Sequence, residues 1–221
     1  MDDAGSGVKE PPPPGSNPDA AVIVGFPDAA PLPDGGPGAP DSGCTVTTID
    51  LLENGNFDDG PGVPWAEVSS GGLPLILAEG APEFPDTLEI PADSPTFLAY
   101  LAGYPNASDM LQENITVPED ATGLRLSGVR QIASSETSTT TPFDFLFFEI
   151  VPPGGALVEE MARFSNLDET AGSYVPFEGQ ANGDYRGRQV TVQIRATTDV
   201  SANTHFFFDS LVLEVSTCAG G

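Results

Sequence analysis

Two short segments concentrate the chemistry this chain can offer. Leu51-Leu-Glu-Asn-Gly-Asn-Phe-Asp-Asp59 brings many side-chain and main-chain oxygens together, and Phe206-Phe-Phe-Asp-Ser-Leu-Val-Leu213 sets one carboxylate in an apolar run. In a strand, alternate residues share a face, so Phe207, Asp209, Leu211, Leu213 and Val215 lie together and Asp209 is expected to point inward. A carboxylate taken out of water needs a partner or a cation. Calcium, a hard cation with 6–8 oxygen ligands at roughly 2.3–2.6 Å, suits Asp209 if loop carbonyls and a second carboxylate converge there. The stretch Asn54-Gly-Asn-Phe-Asp58-Asp59 offers such oxygens. The alternative is plainer: Asp58 or Asp59 makes a turn hydrogen bond and Asp209 accepts from backbone amides.

Catalytic constellations are missing from the sequence. The single histidine, His205, has no GxSxG nucleophile motif to serve, and no glycine loop suited to phosphate stands out. Asp58-Asp59 and Glu159-Glu160 are adjacent pairs, which in strands face opposite sides and cannot flank one glycosidic bond. The expectation is a non-enzyme. Sugar recognition needs aromatic faces beside hydrogen-bonding groups. Tyr104 and Tyr185, in turn-rich loops, together with Trp65 and Arg130, are the expected ligand-binding residues; loop anchoring is the plainer role for the tyrosines.

The elements that position these residues are read from composition and period. The 221 residues carry 33 Asp and Glu against 7 Lys and Arg, a net charge of −26. Phosphate backbones are bound through Lys and Arg, so nucleic acid is excluded as a partner. The acidic excess reads either as a solvated surface suited to salty surroundings or as a capacity for cations. No run of 18 apolar residues is present, so no membrane-spanning helix is expected, and Met1-Asp-Asp lacks the regions of a signal peptide.

Residues 1–43, with Pro11-Pro-Pro-Pro14 and six further prolines, read as a disordered, acidic, Pro/Gly-rich tether. Residues 44–218 read as a β domain and 219–221 as a tail. Val190, Val192, Ile194 and Ala196 alternate with Thr191, Gln193, Arg195 and Thr197, the period of a strand buried on one side. Strands are also expected near 45–52, 73–78, 96–102, 110–117, 123–132, 143–151, 156–162, 173–178 and 204–216. Phe143-Asp-Phe-Leu-Phe-Phe-Glu-Ile-Val151, apolar on both faces but for Asp144 and Glu149, reads as a central strand covered on each side. The whole predicts an all-β, antiparallel two-sheet jelly-roll sandwich.

The 51–58 opening, Trp65, the strand Gln112-Glu-Asn-Ile-Thr-Val-Pro118, the Val190–Arg195 strand and the closing Phe208-Asp-Ser-Leu-Val-Leu213 resemble the galactose-binding-like β-sandwich, found in carbohydrate-binding modules and MAM-like accessory domains of secreted bacterial proteins. The resemblance covers residues 45–217. It implies neighbouring first and last strands with a structural calcium ion where they meet, Asp58 and Asp209 as its acidic ligands with Asn54 and Asp59 behind them, and a core position for Trp65. Ser210 departs from the pattern, standing where a second closing carboxylate is usual. Cys44 and Cys218 fit the same geometry: if the terminal strands pair, these two cysteines come within the 4.4–6.8 Å Cα separation of a disulfide, with two free buried thiols as the alternative. The function implied is a non-catalytic extracellular module that binds polysaccharide or cell-surface glycan. The other reading is a structural or adhesive subunit contacting extracellular proteins. Either is expected to be secreted or at the cell surface of a bacterium, lipoprotein among the forms, with its signal removed from this chain.

Overall fold

The computed structural model describes residues 45–85, 90–155 and 158–219. The expected tether over 1–43 lies outside them, as do Cys44 and the side chain of Cys218. Ser42–Gly221 forms one compact unit.

Eleven strands follow in order: β1 Thr45–Asp50, β2 Ala66–Ser69, β3 Ile76–Ala78, β4 Phe97–Ala102, β5 Ser108–Thr116, β6 Ala121–Ser134, β7 Phe145–Val151, β8 Glu159–Ser165, β9 Val175–Ala181, β10 Gln189–Thr197 and β11 Thr204–Ala219. A 3₁₀ turn, Asn166–Asp168, follows β8 and is closed by a Ser165/Asp168 capping box. One sheet has the order β3-β4-β11-β6-β9 with β1 also on β11, and the other β2-β5-β10-β7-β8. Every pairing is antiparallel. This is the expected sandwich, and the first and last strands are neighbours.

The alternation in β10 forms as expected, with Val190, Val192, Ile194 and Ala196 all buried. They meet Leu111, Phe148 and Ile150 of their own sheet and Leu101, Leu126, Ile132, Phe206, Phe208 and Leu213 of the other in one continuous core. β2 was not legible in the sequence. Its four residues are too few to show a period, and it exists because β5 offers it a ladder from Ala66 to Ser69.

β11 departs from a single alternation. Its register against β6 slips between Asp209 and Val212, and Ser210 adopts φ +53°. The bulge reverses which residues face the core: Phe206 and Phe208 before it, Leu211, Leu213 and Val215 after it. Phe207 and Asp209 therefore lie on the outer side. There Phe207 joins a second, smaller core with Leu77, Phe84, Ile90, Leu98 and Tyr100. Two glycines make room for the bulge. A Cβ on Gly128 would meet Leu211 Cδ2 at 2.6 Å, and one on Gly55 would meet Leu211 O at 2.0 Å.

β7 also differs from expectation. It is interior to the sheet but not central, lying between β10 and β8. Leu146, Phe148 and Ile150 fill the core. The odd positions, Phe145, Phe147, Glu149 and Val151, are on the outer face, which no further layer of the described residues covers. Both-sided apolar character here reports an apolar strip on an open sheet.

Candidate binding face

The loop expected to hold calcium is fastened by its own polar groups. Asn54, 2% exposed, donates from Nδ2 to Gly60 O at 3.4 Å and accepts from Asp59 N at 3.2 Å. Asn56 Nδ2 donates to Asp58 Oδ2 at 2.8 Å, while Asp58 Oδ1 is buried without a partner. Asp209 is fully buried, but in the outer crevice under residues 93–94. Its Oδ2 accepts from Asp93 N and Ser94 N at 2.8 and 2.9 Å, and its Oδ1 from Ser210 N at 2.6 Å and Ser94 Oγ at 3.2 Å. A carboxylate has about four lone-pair sites; three backbone amides hold three, and the Ser94 hydroxyl, whose single proton also faces Asn56 O, lies at the fourth. Burial pushes the Asp209 carboxyl up, and the amides of Ser94, Ser210 and Asp93 pull it down. At Asp209, one of the expected calcium ligands, the carboxylate is engaged by these hydrogen-bond donors. Ser94 Oγ lies between Asp209 Oδ1, at 3.2 Å, and Asn56 O, at 3.1 Å, and shares its one proton between them.

The four expected ligand residues are likewise bound up in the structure. Trp65 is 2% exposed, packs on Phe57 at 5.7 Å and donates Nε1–H to Asn54 O at 2.9 Å, the core role the resemblance implies. Tyr104 donates to Asp109 Oδ1 at 2.6 Å and accepts from Gly71 N at 2.9 Å, anchoring two loops. Tyr185 donates to Glu159 Oε2 at 2.5 Å and lines a cleft of about 300 Å³ with Thr122, Asn182 and Arg186. Arg130 lies 4.0 Å over the Phe164 ring and donates to Asp168 O at 3.0 Å. Trp65 and Tyr185 are buried, Tyr104 and Arg130 are half-buried, and each is engaged by a neighbour.

The outer face of the five-stranded sheet carries a second set of polar and aromatic groups. Ladder registry aligns Gln112 of β5, Gln193 of β10 and Glu149 of β7 in a single row across the strands. Gln112 Nε2 donates to Gln193 Oε1 at 2.9 Å, and Gln193 Nε2 donates to Glu149 Oε2 at 2.7 Å. One residue pair further on, Thr191 Oγ1 donates to Asn114 Oδ1 at 2.7 Å. On the other side, Arg195 donates from Nη2 to Glu149 Oε1 at 2.8 Å and lies 4.1 Å over the Phe147 ring. Phe145 stacks beside Phe147 at 5.8 Å, and Phe143, 41% exposed, precedes them. A polar row with spare amide hydrogens and lone pairs therefore runs beside an apolar ledge. That is the combination sugar recognition requires. The outward residues of β10 were visible in the alternation, but nothing in the sequence aligned them with β5 and β7.

At one end of the sandwich, one carboxylate oxygen each from Glu136, Asp144 and Asp199 lies within 4.8 Å of the others, a set that could hold a metal ion. Asp144 is fully buried, accepting from Asp199 N at 2.9 Å and Thr204 Oγ1 at 2.5 Å. Burial pushes its carboxyl up; those two hydrogen bonds lower it, and the neighbouring Asp199 and Glu136 charges raise it. Among the described residues, no helix is long and apolar enough to cross a membrane.

No protein-family model matches the chain, and no curated protein matches it in sequence. Solved structures do match in fold. A CBM61 module, TmCBM61, in complex with β-1,4-galactotriose superposes with a TM-score of 0.51 at 12% identity, covering 75% of this chain and 97% of that one. The K3 cleaved adhesin domain of Lys-gingipain from Porphyromonas gingivalis gives 0.51 at 13%, covering 76% and 99%. A cyclase from Fischerella sp. TAU gives 0.48 at 11%, covering 79% and 100%. At such identities the likeness is one of fold, and fold alone does not separate binding from catalysis. The chain has the β-sandwich fold of carbohydrate-binding modules and cleaved adhesin domains.

Proposed function

We propose that this protein is a non-catalytic, extracellular module that binds polysaccharide on the outer face of its five-stranded sheet. The observation that supports this reading most is the alignment of the Gln112–Gln193–Glu149 row beside the Phe143–Phe145–Phe147 ledge. Sugar rings present both an apolar C–H face and hydroxyls, and this surface offers a counterpart to each. The similarity to a galactotriose-bound module agrees with it in fold. Because the aromatic side chains of the ledge stand outside the core, Phe145→Ala with Phe147→Ala is expected to weaken binding to an immobilised polysaccharide by at least about tenfold while the melting midpoint shifts by only a few degrees. Retained affinity in that variant, measured by affinity electrophoresis across a polysaccharide panel, would move the site elsewhere. The adhesive or structural reading rests on the likeness to the gingipain adhesin domain and is favoured if protein ligands, and no glycan, are retained.

Two further features belong to this reading. Backbone pairing sets Val46 opposite Cys218, two residues along from Cys44. A Cys44–Cys218 bridge would close nearly the whole domain into one loop, contributing at most about 5 kcal/mol in the chain-entropy model. Intact-mass measurement before and after reduction of unalkylated protein is expected to show a gain of about two hydrogens; unchanged mass with two alkylatable thiols rejects the bridge. In the same reading the Glu136–Asp144–Asp199 carboxylates hold a structural calcium ion, a hard cation suited to oxygen ligands. Millimolar calcium is then expected to raise the melting midpoint relative to EDTA in the wild type but not in Asp199→Ala. Equal midpoints in wild type dispose of the ion.

A further inference from the structure

The charges of the open face differ from those of the rest of the chain. Against a net charge of −26, the face carries two cations and two anions: Arg195 with Glu149, and Arg163 with Glu160. The first pair is tight, at 2.8 Å, with Glu149 only 7% exposed, and the second is loose, at 3.8 Å. β2 and β5 add Val68, Met110, Gln112, Asn114 and Thr116 to this side, none of them charged. The surface is therefore locally neutral within a strongly negative field.

Hydrogen-bonding capacity follows the same division. Gln112 and Gln193 each spend one amide hydrogen in the row and keep one, and Gln112 keeps its acceptor oxygen. Such groups both donate and accept, matching a sugar hydroxyl, which does both. A carboxylate or sulfate only accepts and is recognised by a cation with free N–H groups. Arg195 has turned its Nη2 and Nε toward Glu149, at 2.8 and 3.4 Å, and its plane is against Phe147. An acidic sugar would have to displace Glu149 from Arg195, while Arg163 on the neighbouring strand keeps its own contact to Glu160 at 3.8 Å.

We propose that the ligand of this face is an uncharged polysaccharide, laid across the strands along the Gln112–Gln193–Glu149 row, and that Glu149 acts as a specificity determinant by occupying Arg195 and so excluding acidic glycans. The inference rests on the reading of this face as a polysaccharide site. From β5 to β7 the row spans roughly 10 Å at a strand spacing of about 4.8 Å, room for an oligosaccharide segment.

The test compares neutral galactan, xylan and β-glucan with polygalacturonate and alginate, each titrated calorimetrically at low and high sodium chloride. The wild type is expected to bind at least one neutral glycan with an affinity that salt changes less than about twofold, and to bind neither acidic polymer, because attraction between opposite charges would be screened and hydroxyl bonding is not. Gln193→Ala is expected to lose about tenfold or more toward that neutral glycan. Glu149→Gln, which keeps the shape and frees Arg195, is expected to gain measurable, salt-sensitive binding to the acidic polymers; circular dichroism melts confirm that both variants are folded. Preference of the wild type for an acidic polymer, or a folded Glu149→Gln variant with no gain, overturns the inference and leaves the polysaccharide reading standing. Binding of no polysaccharide of either class, with the fold intact, overturns that reading and the inference with it.

Discussion

Replacing Asp209 with alanine is expected to lower the unfolding free energy by about 3 to 5 kcal/mol, and by the same amount in EDTA as in millimolar calcium. The carboxylate is fully buried and collects four donors: the amides of Asp93, Ser94 and Ser210 and the hydroxyl of Ser94. Hydrogen bonds to a charged acceptor contribute roughly 1.5 to 3 kcal/mol each, and donors stranded under a closed loop cost more than donors that reach water. Two or three such losses, partly relieved by water entering the crevice, account for the figure. The effect reaches beyond the crevice, since Ser94 Oγ also lies 3.1 Å from Asn56 O and so ties the 54–60 loop to the same strand. Asp209→Asn keeps one oxygen acceptor and should lose less. Urea titration decides the matter: a loss under about 1 kcal/mol, or a loss that calcium restores, would show that amide binding is not what Asp209 is for.

A second substitution should act in the opposite direction, with an effect that is absent at pH 4 and grows as pH rises from about 4.5 to about 7. Glu113 points into the sandwich from β5, 2% exposed, with Oε1 accepting from Glu53 N at 3.0 Å and Oε2 buried without a partner. Burial, offset in part by that amide bond and reinforced by the charges of Glu53 and Asp50, pushes its carboxyl up from 4.5 to about 7. The folded protein therefore holds a proton on Glu113 that the unfolded chain gives up near pH 4.5. Stability from this group is complete below the unfolded value and is lost as pH rises through about 7, the reverse of an ordinary paired carboxylate. The loss is at most about 3 kcal/mol, and less where water reaches the ionised group. Glu113→Gln preserves the acceptor for Glu53 N and cannot ionise. It is expected to match the wild type at pH 4 and to exceed it by about 1 to 3 kcal/mol at pH 8. Urea midpoints from pH 4 to pH 9 that run parallel for the two proteins would show that Glu113 does not titrate in this window.

The two carboxylates had very different standing in the sequence. Asp209 drew attention because it interrupts Phe206–Leu213, and it is buried as expected, but on the opposite side from the one its parity implies. A single alternation cannot anticipate the bulge at Ser210, which depends on Gly128 and Gly55 being small where Leu211 passes. Glu113, in contrast, sits at an inward position of a strand whose extent was legible, between Leu111 and Ile115. Its alternation with Gln112 and Asn114 already placed it among apolar neighbours.

The binding face shows the same boundary. Period two along β10 and the apolar density of β7 follow from which side chains avoid water, and both are properties of one strand at a time. The number and order of most strands and the antiparallel sandwich were accordingly open to reading, while the meeting of the first and last strands was implied by the family resemblance. Which strands lie side by side, and in what register, depends on pairings between residues distant in the chain, such as Gln112 with Gln193, 81 positions apart. Those pairings alone convert separate outward residues into a row, turn Arg195 toward Glu149 and leave Phe145 and Phe147 on an open surface. Tyr104, Tyr185, Trp65 and Arg130 are suitable residue types for sugar binding, but each finds a partner within the fold, and a side chain's residual hydrogen-bonding capacity is known only once its neighbours are. The amino-acid sequence by itself determined the all-β class, the strand inventory and the acidic surface, because these rest on local period and composition. Only the tertiary structure decided which polar and aromatic groups remain free to meet a ligand, because that depends on contacts between segments distant in the chain.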